Sequence, residues 1–168
     1  MKTIKKIHSG IFRDGGAGSY AKRRYRDRRN KLMAKENSLI AITGVPYGPG
    51  GKTVWSYAHS PTYQEPAMMY LTGINQNNVI LLLDPKSKTE ILFVGRKDRI
   101  MEFWEGVRFG VGDKTSLREV QSITGIKDVR DIGEFKEILK ERLLKYKNSS
   151  LATFWYEGIR KGKKISIT

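Results

Sequence analysis

The most informative stretch of the chain is residues 78–94, which read NVILLLDPKSKTEILFV. Residues 78–83 and 90–94 are short apolar runs of the kind that forms buried strands. Asp84 and Pro85 lie between the two runs and favour a turn, because both preset turn geometry. The stretch therefore predicts two strands joined as an antiparallel hairpin.

Further strands and helices flank this hairpin. Short apolar runs predict strands at residues 38–45, 68–73 and 151–156. Helices are predicted at residues 98–105 and 116–122, and again after Asp131, which with Glu134 has the spacing of a capping pair. The apolar stripe of that last helix consists of Phe135, Ile138, Leu139, Leu143 and Tyr146. An apolar sheet with amphipathic helices on both sides predicts a layered α/β domain, and the hairpin makes its sheet mixed.

A strongly basic helix is predicted before the first strand, from its N-cap Ser19 to Met33. Tyr20 and Tyr25 in this helix are suited to stacking on bases. Its cations are predicted to be exposed, and six of them are candidate anion-binding residues: Lys22, Arg23, Arg24, Arg26, Arg28 and Arg29. The pattern is compatible with nucleic-acid binding, with an acidic protein partner and with a solvated helix face.

Length and composition favour one globular domain. The chain has 168 residues, of which 39% are hydrophobic, and a net charge of +15. Between residues 2 and 35, twelve Lys and Arg stand against two Asp, so ten of the fifteen net charges belong to this segment. We expect a flexible, basic, glycine-rich lead-in at 1–18, a folded domain at 19–158, and a basic tail or linker at 159–168.

Several classes of protein are excluded by what the sequence contains. With no cysteine, the chain forms no disulfide framework, thiolate metal site or thiol nucleophile. Its two histidines, His8 and His59, are too few for a multi-histidine metal centre and poorly placed for a Ser-His-Asp constellation. The longest aliphatic run, residues 79–83, is far too short for a membrane span, and no secretory signal is apparent. We therefore expect a soluble, cytoplasmic protein.

Residues 44–53, GVPYGPGGKT, follow a predicted strand and invite comparison with a phosphate-binding loop. The spacing does not fit, because Pro46 occupies the position of the first glycine of that motif. Pro46 and Pro49 also remove two backbone N–H donors that a phosphate cradle needs. A flexible surface loop is favoured over nucleotide binding.

Other clusters of functional side chains have a structural explanation. Glu134 and Glu137 share a face of a predicted helix, but among lysines they are expected to be solvated. Phe103, Trp104 and Phe109 are expected to lie in the core rather than in a binding site.

Several motifs follow one another along the chain. They are Tyr25-x-x-Arg28-Arg29-x-x-Leu32-Met33, Ser38-Leu39-Ile40-Ala41-Ile42, Gln64, Tyr70-Leu71-Thr72-Gly73, Leu92-Phe93-Val94, Asp98 and Trp104-Glu105-Gly106-Val107-Arg108-Phe109-Gly110. In this order they resemble the N-terminal domain of aminopeptidase P, of the creatinase and prolidase N-terminal type, and the resemblance covers roughly residues 20–150. It implies a three-layer α/β/α domain with a mixed, ribonuclease H-like sheet.

The resemblance also implies a function. Domains of this family precede a separate pita-bread catalytic domain that holds two divalent metal ions, usually manganese, and removes an N-terminal residue before proline. This chain would then be non-catalytic, and would contribute oligomer contacts and substrate gating for short Xaa-Pro peptides. The residues implicated in gating or subunit contact are Trp104, Gly106, Arg108, Tyr70 and Gln64. Of the family's polar stretch before Tyr70, only Gln64 is kept in Thr62-Tyr63-Gln64-Glu65-Pro66-Ala67.

Two alternatives stay open at this point. The chain could be a stand-alone domain of the same fold that binds nucleic acid or an acidic protein through the basic helix 20–33. It could also bind a nucleotide through residues 44–53, which addition of ATP and magnesium would reveal as a rise in melting temperature.

Overall fold

The computed structural model describes residues 19–44, 65–98, 100, 102–103, 108–146, 150–154 and 165–166. Within these ranges the named elements are α1 (Ser19–Lys35), β1 (Leu39–Thr43), α2 (Pro66–Thr72), β2 (Val79–Asp84), β3 (Thr89–Val94), α3 (Lys114–Thr124), β4 (Asp128–Asp131), a 3-10 turn (Ile132–Glu134), α4 (Phe135–Leu144), β5 (Ser150–Phe154) and β6 (Ile165–Ser166). The predictions for the lead-in 1–18, for the loop 45–53 and for Trp155 and Tyr156 lie outside the described residues. No helix in the described ranges is long and apolar enough to cross a bilayer.

The strands form one mixed sheet in the order β4-β3-β2-β1-β5-β6. The predicted hairpin is its centre, with Val79 opposite Val94 and Asp84 opposite Thr89. β1 pairs antiparallel with β2, while β5 and β4 pair parallel with β1 and β3. The described pair Ile165–Ser166 adds an edge strand beside β5, within the segment 159–168 that was predicted as a tail or linker. The mixed sheet confirms the prediction from the hairpin.

Alternating side chains of the sheet build two separate cores, as the two-residue period of a strand requires. On one face, Ile40, Leu81 and Leu92 pack with residues of α1, α2 and α3. On the other face, Leu82 and Phe93 pack with Ile138, Leu139 and Leu143 of α4 and with Tyr146, which lies two residues beyond the end of that helix. The helices therefore cover both faces, which confirms the predicted three-layer α/β/α arrangement.

One predicted strand is a helix. Residues 66–72 form α2 rather than a strand at 68–73, because the flanking residues supply both helix ends. The Glu65 side chain accepts a hydrogen bond from the Met68 N–H, Pro66 occupies the first turn, and Gly73 ends the helix in the left-handed conformation. The apolar run alone does not distinguish a short buried helix from a strand.

Other elements agree with the sequence or add to it. The helices predicted at 116–122 and after Asp131 are α3 and α4. Asp131 does cap, but its side chain accepts from the Gly133 N–H of the 3-10 turn, while Glu134 makes no side-chain cap bond. β4 was not predicted, because its residues 128–131 are mostly charged and only half-buried.

Candidate functional site

The α1 and α2 motifs form a single contact. Arg28 Nη1 donates to the carbonyl oxygen of Tyr70 at 2.8 Å, and Arg29 Nη1 donates to that of Leu71 at 2.8 Å. Carbonyls in the last turn of a helix have no partner within the helix, so two guanidinium groups here satisfy α2 and complement its dipole. The adjacent residues Arg28 and Arg29 of α1 therefore bind two adjacent carbonyl oxygens at the end of α2.

Gly73 completes this contact because it leaves room for Tyr25. Its φ of +73° is in the left-handed region, where glycine is favoured. A Cβ atom at Gly73 would lie 2.5 Å from Cζ and Oη of the buried Tyr25 side chain. The two residues are 48 positions apart in the sequence and define one packing contact.

Arg29 is also held by a carboxylate. Its Nε and Nη2 atoms donate to the two carboxylate oxygens of Glu90 at 2.9 and 3.0 Å. The Arg29 side chain has 0% exposure. The prediction that Arg29 is an exposed anion-binding residue is therefore wrong, because its charge is neutralised by a residue of β3 that lies across the core.

A second site lies beyond the carboxyl end of β3, where Arg96 pairs with Val111 in a parallel bridge. Lys97 Nζ and Glu102 Oε1 form an ion pair of 2.8 Å, with both side chains largely buried. Glu102 also accepts from the Arg108 N–H at 2.9 Å, and Lys97 donates to the Arg108 carbonyl oxygen. Burial raises the pKa of Glu102, but the bonds from Lys97 and Arg108 outweigh it, and the pKa is lowered overall.

The next two residues of this segment are fixed as firmly. The Gln76 side-chain amide forms hydrogen bonds with both polar atoms of the Phe109 backbone. It donates to the carbonyl oxygen at 2.8 Å and accepts from the N–H at 2.7 Å. A Cβ atom at Gly110 would lie 2.6 Å from the Lys97 backbone nitrogen. The Arg108-Phe109-Gly110 part of the motif is therefore a rigid anchor.

Large apolar side chains stand exposed beside this anchor. Ile100 and Phe103 belong to a helical segment and are 76% and 80% exposed, whereas Phe109 is buried. The expectation that Phe103 lies in the core is wrong, because its side chain is mostly exposed, whereas the neighbouring Glu102 is largely buried in its ion pair with Lys97. We call Ile100 and Phe103 the apolar knob.

The structure does not place all of the predicted site residues. Gln64, Trp104 and Gly106 lie outside the described residues. Tyr70 is 57% exposed and belongs to the α1–α2 contact, whereas Arg108 belongs to the anchored segment. The two contacts are linked through the chain that runs from Gly73 to Gln76.

The remaining predicted anion-binding residues lie on the outer surface of α1. Arg28 is half-buried against Tyr70, and the other cations of the group are exposed: Lys22, Arg23, Arg24 and Arg26. Arg23 forms an exposed pair with Asp27 at 3.9 Å, a contact of little energetic consequence.

No set of His, Cys, Asp or Glu suited to holding a metal ion occurs among the described residues. Two of their largely buried carboxylates are instead paired with cations, Glu90 with Arg29 and Glu102 with Lys97. The described part of the chain therefore does not fit the dinuclear metal centre that the resemblance implies for a catalytic domain.

Most of this chain is similar to a known protein family. Residues 25–151 match the family model described as the N-terminal domain of aminopeptidase P. The search of curated proteins found no match.

Solved structures share the fold. The aminopeptidase PepP of Pseudomonas aeruginosa has 22% sequence identity and a TM-score of 0.60, over 82% of this chain and 29% of that chain. Proline aminopeptidase P II of Yersinia pestis has 23% identity and a TM-score of 0.58, over 83% of this chain and 30% of that one. Icp55 of Saccharomyces cerevisiae has 22% identity and a TM-score of 0.55, over 73% of this chain and 27% of that chain. The chain thus spans less than a third of each of these proteins.

Proposed function

Because the chain belongs to the family of aminopeptidase P N-terminal domains, we propose that it is the non-catalytic domain of an Xaa-Pro aminopeptidase. In this role it contributes subunit contacts and substrate gating, while a separate catalytic domain cleaves the bond before proline. In this proposal the metal ions, expected to be two manganese ions, are held by that catalytic domain. The proposed location is the cytoplasm.

The observation that supports gating or subunit contact is the apolar knob. Ile100 and Phe103 expose apolar surface that is unfavourable in water. The neighbouring residues 108–110 are fixed because their backbone N–H groups donate hydrogen bonds to Glu102, Gln76 and Ser116. A rigid base that presents exposed apolar side chains is suited to contacting another protein surface, because little order must be gained on binding. The knob immediately precedes Trp104, the residue that the resemblance implicates.

The experiment compares two variants of the assembled Xaa-Pro aminopeptidase that carries this domain. The double variant Ile100→Ser/Phe103→Ser removes the knob, and Leu144→Ser removes another exposed apolar side chain on the opposite layer, at α4. We expect the double variant to dissociate subunits in sedimentation or to raise KM for an Xaa-Pro peptide severalfold. Leu144→Ser should leave both unchanged. Equal behaviour of the two variants would refute a role for the knob.

A further inference from the structure

The outer surface of α1 carries a dense positive charge. Seven of the eight Lys and Arg of this helix are exposed or half-exposed, since only Arg29 is buried. The opposing carboxylates on the helix and just after it are Asp27 and Glu36, which leaves a net charge of +5. A helix of 17 residues is about 25 Å long. The charge is thus spread along a length that spans several phosphates of a nucleic-acid strand.

The neighbouring elements extend this surface on both sides. The aliphatic stem of Lys22 crosses Gly125 at the end of α3, where a Cβ atom would lie 3.1 Å from its Cγ. Lys127 is exposed two residues further on. On the other side, α1 contacts α2 through Arg28, which reaches the Tyr70 carbonyl. We call this surface of α1, with Lys127 and Tyr70 at its margins, the cationic face.

An exposed aromatic ring stands at the margin of the cationic face. The Arg28 guanidinium carbon lies 4.1 Å from the centroid of the Tyr70 ring, and Tyr70 is 57% exposed. Arginine and aromatic planes are the groups on which unpaired bases stack. The guanidinium group is itself anchored, because Arg28 donates to the carbonyl oxygen of Tyr70.

We propose that the cationic face binds single-stranded nucleic acid, with phosphates along α1 and a base stacked at Tyr70. This function is separate from the peptidase role proposed above. A bilayer is disfavoured as the ligand, because among the α1 side chains that the structure describes Tyr25 and Met33 are buried in the core and Leu32 packs against it. An acidic protein would use the same charges, but a ring backed by arginine beside a row of cations is the arrangement that stacks a base while its phosphates are bound.

The test measures binding of a fluorescent twenty-nucleotide single strand to the full chain by anisotropy, at several salt concentrations. If each of the five net charges on α1 contacts one phosphate, affinity should fall about a hundredfold between 50 and 200 mM salt. The variant Arg23→Gln/Arg26→Gln/Lys31→Gln removes three exposed charges and should reduce that fall to about sevenfold. The matched control Lys136→Gln/Lys140→Gln/Lys145→Gln removes three exposed charges from α4 and its C-cap and should keep the original salt dependence.

A second pair of variants tests the aromatic contact. Tyr70→Leu should weaken binding about tenfold, while Tyr70→Phe, which keeps the ring, should bind as the unmodified chain does. Equal losses in the α1 and α4 variants would overturn the proposal, since binding would then follow total charge alone. Competition by polyglutamate as effective as that by the oligonucleotide would also overturn it, in favour of an acidic protein partner. Circular dichroism of each variant shows whether the fold is kept.

Discussion

Replacing Gly73 by alanine tests the contact between α1 and α2 most sharply. The backbone at this position has φ +73°, and an alanine in the left-handed region costs roughly 1–2 kcal/mol. The added Cβ would also lie 2.5 Å from the buried Tyr25 ring, which must shift within a packed core at a cost of about 1–3 kcal/mol. The variant should therefore lower the free energy of unfolding by about 2–5 kcal/mol.

Gly125→Ala is the matched control for this prediction. Its φ of +77° imposes nearly the same backbone cost, but the crowded neighbour is the flexible stem of Lys22 at the surface. We expect a loss of only about 1–2 kcal/mol. Urea unfolding followed by circular dichroism measures both values. For a chain of this length each kcal/mol corresponds to roughly 2–4 °C in Tm. Losses equal within about 0.5 kcal/mol would refute the packing argument and leave backbone strain alone.

Three further variants test buried polar groups. Glu90→Ala should cost about 3–5 kcal/mol in urea unfolding, because it leaves the Arg29 charge buried without its carboxylate; a cost below 1 kcal/mol would contradict this. Glu102→Gln should lower the free energy of unfolding at neutral pH. Its difference from the unmodified chain should vanish as the pH falls below 4.5 and through the lowered pKa of Glu102 in the folded protein. Unfolding measured from pH 7 to pH 3 checks this. Tyr146→Phe loses the hydrogen bond to Asp84. Burial and that bond raise the pKa of Tyr146 to about 12, so its contribution, present below pH 10, should disappear as pH rises through 12.

The sheet was largely predictable from local sequence. Residues 78–94 contain both strands and the turn between them, so the central hairpin needs no distant information. The helix α2 was missed because its evidence lies in the flanks, at Glu65, Pro66 and Gly73, rather than in the apolar run between them. Such end signals are available from sequence and would have corrected the prediction.

The polar contacts of the candidate site were not predictable in the same way. Arg29 looks like one more cation of a basic helix, and its burial depends on Glu90, which lies 61 residues away. Gln76 is a polar residue in a polar stretch, and its hydrogen bonds reach Phe109, which lies 33 residues away. The motif identified the segment around Arg108 by resemblance, but the residues that hold it, Gln76 and Glu102, carry no periodic or motif signal.

The most direct test of the proposed function isolates the native protein from its source cells with an antibody raised against this chain. Its mass and its hydrolysis of an Xaa-Pro peptide in manganese are then measured, beside the purified chain of 168 residues. We predict that the native material contains a catalytic domain, in the same polypeptide or bound to it, and cleaves the peptide, while the purified chain does not. A native protein of 19.2 kDa without an associated peptidase, or cleavage by the purified chain itself, would contradict the account.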